Sequence, residues 1–226
     1  MNKYDLINII ENFAPPELQE SWDCSGWLVE TAISDVKRVM IALTVTQNVY
    51  EQAVDKDCDM IISHHPLFSI PINFSDIDIY CAHTNMDKTL GGTTDTFVEA
   101  IGLTAQPVGD FLRICDKEII VKDLISKIKK ISPNARVVNN KNVQKVSRIG
   151  FCAGSGMDIY EEALKNGCDC FVTGDLKYHG AVESSIILID AGHFETEILI
   201  KKVFQSLIKE KVEVYIANEN SPFKNI

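Results

Sequence analysis

Short, nearly unbroken apolar runs of strand length recur along the chain, each followed by polar residues. No other feature restricts the fold as much. Met60 to His64 and Ile77 to Ala82 are the clearest runs, and Val36 to Val45, Val146 to Ala153, Cys168 to Thr173, Ile186 to Asp190 and Val212 to Ala217 follow the same plan. Strands that are apolar throughout, rather than alternating, are covered on both faces. Helical spacing fills the intervals: Asp5 to Phe13, Gln47 to Asp55, Thr94 to Ile101, Val121 to Ile131, Met157 to Lys165, Tyr178 to Ser184 and Glu195 to Ile208. Strand, loop and helix in repetition predict an α/β protein with mostly parallel sheets. The stretch from Gln106 to about Asn142 differs in texture, with strand or hairpin over Phe111 to Ile120 and a short strand over Ala135 to Val138. It is read as the start of a second lobe. The expected organisation is two similar α/β lobes, 1–105 and 106–226, with no low-complexity linker between them.

Composition narrows the function. With 46% hydrophobic and 24% charged residues in 226, the chain is ordinary globular material rather than a disordered one. A formal charge of −10 argues against a nucleic-acid partner, which normally brings a basic patch. A small anionic substrate stays open, because bound divalent cations reverse the local sign. The N-terminus opens directly into an amphipathic pattern, and no apolar run approaches membrane-spanning length. The seven cysteines are odd in number and form no CxxC pair. Most sit in apolar runs as small buried thiols, so the expected setting is reduced, soluble and cytoplasmic, with no membrane contact.

All five histidines fall in chemically dense stretches that follow an apolar run or open a helical pattern: Ser63-His64-His65-Pro66, His83-Thr84-Asn85-Met86-Asp87, Thr173 to His179 and Asp190 to Glu197. Ligands in parallel α/β sheets gather beyond the carboxyl ends of strands, where His64, His65 and His83 fall. Adjacent strand residues point to opposite faces, so His64 and His65 can share a site only if the strand ends there, and Pro66 makes that turn natural. Alone, the pair also fits one buried, hydrogen-bonded imidazole and one in solvent. His193 and Glu197, four apart at a helix start, share one face and can grip one ion. A surface pair fits that spacing too. Asp87, four after His83, also suits a plain Asx turn. Together these stretches supply three to five imidazoles and at least two carboxylates, a donor mixture that suits zinc, manganese or iron. The surplus over about four ligands per ion points to two ions sharing a carboxylate. The Gly154-Ser155-Gly156 turn is too short for a phosphate-binding glycine motif and reads as a tight turn. No third group accompanies Ser63 and His64 as a hydrolase triad would require.

Ser63-His64-His65-Pro66-Leu67, Ala82 to Asp87, Gly174-Asp175 with Tyr178-His179, and Gly192-His193 with Glu197 resemble the motifs of the NIF-three-like proteins, also called the GTP cyclohydrolase 1 type 2 homologue family. Trp22-Asp23 with Gly26 and the Cys152 to Gly156 turn fit as well, and the resemblance spans nearly the whole chain. It implies a two-lobed subunit of the short form, without an inserted middle domain, in a ring-shaped homohexamer. It implies a dinuclear centre of two divalent transition-metal ions held by His64, His65, Asp87, His193 and Glu197, with His83 and His179 as substrate-facing or proton-transfer groups. Cys24, Trp27 and the Thr44 strand, which lacks an acidic residue, depart from the pattern. The implied function is a metal-dependent hydrolase that opens the imidazole ring of a purine nucleotide. A non-catalytic metal-binding or metal-delivery assembly is the alternative.

Overall fold

A computed structural model describes residues 1–67 and 69–223. The chain divides into two compact units, Met1–Thr89 with Ile200–Asn220 and Leu90–Leu199 with Ser221–Ile226. Among the described residues no helix is long and apolar enough to cross a membrane.

In the first unit, α1 (Lys3–Phe13) is capped by Asn2, whose side chain accepts from the Tyr4 amide, and it ends before Pro15 and Pro16. Among the described residues, five strands follow the order β1 (Gly26–Val29), β4 (Asp78–Cys81), β3 (Met60–Ser63), β2 (Arg38–Ala42) and β11 (Glu213–Ile216). Only β1 is antiparallel to its neighbour. Every residue of β3 and β4 is buried, as the apolar runs required. Met40, Ala42, Ile61 and Ile79 share a core with Val49, Tyr50 and Ala53 of α2 (Gln47–Asp55). The short helix α3 (Thr84–Lys88) directly follows His83. The chain's last strand joins this sheet beside β2, after α9 (Ile200–Ile208), which packs on β2, β11 and α1.

Among its described residues the second unit carries six strands in the order β5 (Gln106–Val108), β6 (Leu112–Ile120), β8 (Lys145–Phe151), β9 (Cys170–Thr173), β10 (Ile187–Asp190) and β7 (Arg136–Val138). β8, β9 and β10 run parallel, and the flanking strands are antiparallel. One face packs Ile149, Phe151, Val172 and Ile189 against α4 (Thr93–Ala100) and α5 (Val121–Ile128). The other packs Leu112, Ile114, Phe171 and Leu188 against Ala163 of α6 (Tyr160–Lys165). α7 (Tyr178–Glu183) buries none of its residues. The helix expected over Glu195 to Ile208 is two helices, α8 (His193–Glu197) and α9, separated by a turn at Ile198 and Leu199. Their packing explains the break: α8 lies on α4, whereas α9 buries Ile200, Phe204 and Ile208 in the first unit.

Candidate metal centre

β3 ends at Ser63, as a shared site for the two adjacent imidazoles demanded. The His64 and His65 amides still donate to Ala42 O (3.3 Å) and Leu43 O (2.8 Å) while the chain turns. Their rings therefore come within 5.1 Å of each other, centre to centre, instead of facing opposite sides. His64 is fully buried, and its Nδ1 lies 3.0 Å from Ala82 O. A carbonyl only accepts, so Nδ1 carries the proton and Nε2 the lone pair. That Nε2 is 3.5 Å from Asp87 Oδ1, in α3. His65 Nδ1 sits 2.7 Å from Thr44 Oγ1. Thr44 and Leu43 in turn donate their amides to the Glu219 carboxylate (2.9 and 2.8 Å), which also accepts from Lys201 Nζ at 2.9 Å.

His83 completes the group on the first unit. Ligand-capable atoms of His64, His65 and His83 all lie within 4.8 Å of one another. Asp23 fixes His83: its Oδ1 is 2.9 Å from His83 Nδ1. The same buried carboxylate accepts from the Cys24 amide (2.7 Å), Ser25 Oγ (2.8 Å), the Thr84 amide (3.0 Å) and the Thr84 hydroxyl. Burial raises its pKa, but the hydrogen bonds from Thr84 and His83 outweigh that and hold it well below the usual carboxylate range.

On the second unit, β10 delivers Gly192 at φ 79 and α8 then begins at His193. One helical turn separates His193 from Glu197, and their Nε2 and Oε2 atoms are 2.9 Å apart. His193 Nδ1 is 2.7 Å from Asp175 Oδ2. Burial lowers the His193 pKa, whereas hydrogen bonds and charge from Glu197 and Asp175 raise it further, up to about 9. The metal-free imidazole is thus a cation at neutral pH, and an ion bound there displaces its proton.

The Gly154 turn forms the wall behind this pair. A Cβ on Gly154 would lie 2.0 Å from Glu197 Oε1, and φ is +66. Three amides here are already engaged: Ala153 donates to Thr94 Oγ1 (3.0 Å), Gly154 to Thr196 Oγ1 (2.9 Å) and Gly156 to Thr173 Oγ1 (2.8 Å). The turn is packing material, not an anion cradle. His179 is exposed in α7, with its ring 5.6 Å from Tyr178. Among the described residues it belongs to no group of three metal-capable side chains.

These residues fit a divalent transition metal. His64, His65 and His193 each engage Nδ1 with an outer partner and present Nε2 to an ion, the arrangement that orients metal-binding imidazoles. Among the described residues, no cysteine joins a metal-capable group. Cys81, for example, is buried with a raised pKa, and its Sγ donates to His64 O. The sequence missed Asp23 as an anchor, Thr44 as the His65 partner and Asp175 as the His193 partner. A carboxylate beside a tryptophan, or a threonine inside an apolar run, signals nothing until the chain folds.

Two α/β units carrying imidazole and carboxylate donors at strand ends define the class: a metal-capable α/β protein. The family model described as Duf34/NIF3 (NGG1p interacting factor 3) matches residues 1–222, and the chain belongs to that family. A "GTP cyclohydrolase 1 type 2 homolog" of Clostridium acetobutylicum is 33% identical, with 97% of each chain covered. Among solved structures, reduced HcgD from Methanocaldococcus jannaschii matches at a TM-score of 0.82 and 25% identity, covering 96% of this chain and 97% of its own. A Bacillus cereus protein related to NIF3 matches at a TM-score of 0.87 and 20% identity, covering 100% and 99%, which speaks for the fold alone.

Proposed function

We propose that the chain is a metal-dependent hydrolase of the cyclohydrolase type, acting on a purine nucleotide such as GTP. Its His64, His65, Asp87, His193 and Glu197 would hold two divalent transition-metal ions, zinc, manganese or iron. The observation that carries this is the repeated outer-partner geometry, in which imidazole after imidazole has Nδ1 engaged and Nε2 presented. The bound ions supply water activation and stabilisation of developing oxygen charge. His83, steadied by Asp23 on Nδ1, has Nε2 to take up and return a proton. His179, on its exposed helix, would be the second proton-transfer group, a role that comes from the family resemblance. The net reaction is hydrolytic opening of the five-membered ring, taking up two waters and releasing C8 as formate. The nucleotide enters on the strength of the relatives' name, and the cytoplasmic homohexamer on the family resemblance.

The test is elemental analysis of purified protein beside a formate assay with GTP. About two ions per chain are expected, in line with two-metal hydrolytic sites, with clear loss in His193→Ala and no formate release in His64→Ala. Stoichiometric metal with no turnover on a broad nucleotide and phosphoester panel would favour the second reading, a metal-binding or metal-delivery assembly acting through protein partners. Protein that takes up no metal would refute both.

A further inference from the structure

A cavity of about 310 Å³ opens in the second unit beside His193, at the carboxyl ends of β9 and β10. That volume is at the lower end of small-molecule sites, about 300–1,000 Å³, and strand carboxyl ends are where such sites form. Its charged lining is Asp175, Asp190 and Glu195 with Arg136 and His193, so three carboxylates face one guanidinium and one imidazole. Two of them are committed. Asp190 accepts from Arg136 and from the Gly192 amide, and Asp175 faces His193. Glu195 has no hydrogen-bond or ion-pair partner among the described residues. Ser221 lines the same cavity with a buried Oγ that likewise has none. Phe223 adds a flat apolar ring, 79% exposed, to the wall.

Hydrogen-bonding capacity decides what is recognised: the Glu195 carboxylate only accepts, so a group rich in N–H donors finds a waiting partner there. An aromatic wall favours a flat ligand. We propose that this cavity binds a planar nitrogen heterocycle through a ring N–H and an adjacent exocyclic amine, the donor edge of a guanine-type base. Glu195 accepts both hydrogens, Ser221 meets a ring or ribose polar atom, and Phe223 stacks on the ring. The inference rests on the nucleotide-hydrolase reading and gives it a base subsite.

Isothermal titration of the full-length, metal-loaded protein with guanosine, inosine and adenosine tests this without phosphate contacts. Guanosine should saturate and bind about tenfold or more tighter than inosine, which lacks the amine, because a hydrogen bond to a charged acceptor is worth about 1.5–3 kcal/mol. Glu195→Gln should erase that preference with metal content unchanged. Phe223→Ala, on an exposed side chain, should weaken all three nucleosides and keep their ranking. Equal binding of guanosine and adenosine, or an unaltered preference in Glu195→Gln, overturns the proposal, as does loss of metal in that variant. Metal-replete protein that binds no nucleoside sinks the subsite and leaves the metal centre standing. Guanosine binding by protein that holds no metal does the reverse.

Discussion

Asp23 shows how one side chain can hold a site without touching the chemistry. Its two oxygens accept from Cys24, Ser25, Thr84 and His83, tying the segment before β1 to the start of α3. Because the folded carboxyl titrates below its ordinary value, near 3.9, its contribution is present above about pH 4. It is lost as pH falls through the depressed folded value. Asp23→Asn keeps the shape and removes the charge, so it should cost about 2–3 kcal/mol near neutral pH, the scale of charged hydrogen bonds in a buried network. Urea unfolding at pH 7, 5 and 3.5 should show the gap between wild type and variant closing in acid. A gap that stays constant with pH would deny Asp23 this role.

At the scale of elements, the apolar runs located nearly every strand, and α2 occupies the residues its spacing marked, Gln47–Asp55. The ending of β3 at Ser63 was legible because only a turn lets His64 and His65 share a site. Other features were not. Asp23 and Thr84 are 61 positions apart, and no local pattern announces such a pair. The split between α8 and α9 was hidden because apolar spacing runs on through Ile198 and Leu199 while the packing partners change. The Gly154 turn was read as a tight turn, yet its closeness to Glu197 comes only with the fold. That closeness separates two glycines that share a left-handed backbone. Gly167, at φ +74, has nothing within 4 Å of an added Cβ, so Gly167→Ala should cost about 1–2 kcal/mol of backbone strain alone. Gly154→Ala bears the same strain and must also push the Glu197 carboxylate aside. It should cost about 3 kcal/mol or more and reduce metal content, whereas Gly167→Ala keeps its metal. Thermal melts with elemental analysis of both variants measure the contrast, and equal behaviour would mean that the turn does not position Glu197.

For the whole molecule, the informative fact is which stretches of chain each unit needs. An apolar run such as Val212 to Ala217 says strand, but it carries no mark of its neighbour, so its pairing with β2 emerges only in three dimensions. The second unit holds β5 through β10 within Leu90–Leu199, together with two core clusters. The first unit is discontinuous. Without Ile200–Asn220 it loses β11 from the edge of β2, the apolar stripe of α9 and the Lys201–Glu219 pair that holds the Thr44 loop. A bare β2 edge and an uncovered face are what a folded sheet cannot sustain in water. A fragment of residues 90–199 should therefore fold alone, with a cooperative thermal transition and dispersed amide resonances. A fragment of residues 1–89 should not, and adding a synthetic 200–220 peptide should recover dispersion in it. If 1–89 folded unaided, the returning helix and strand would be ornament rather than part of the first unit's core, and Glu219 could not be what keeps His65 in place.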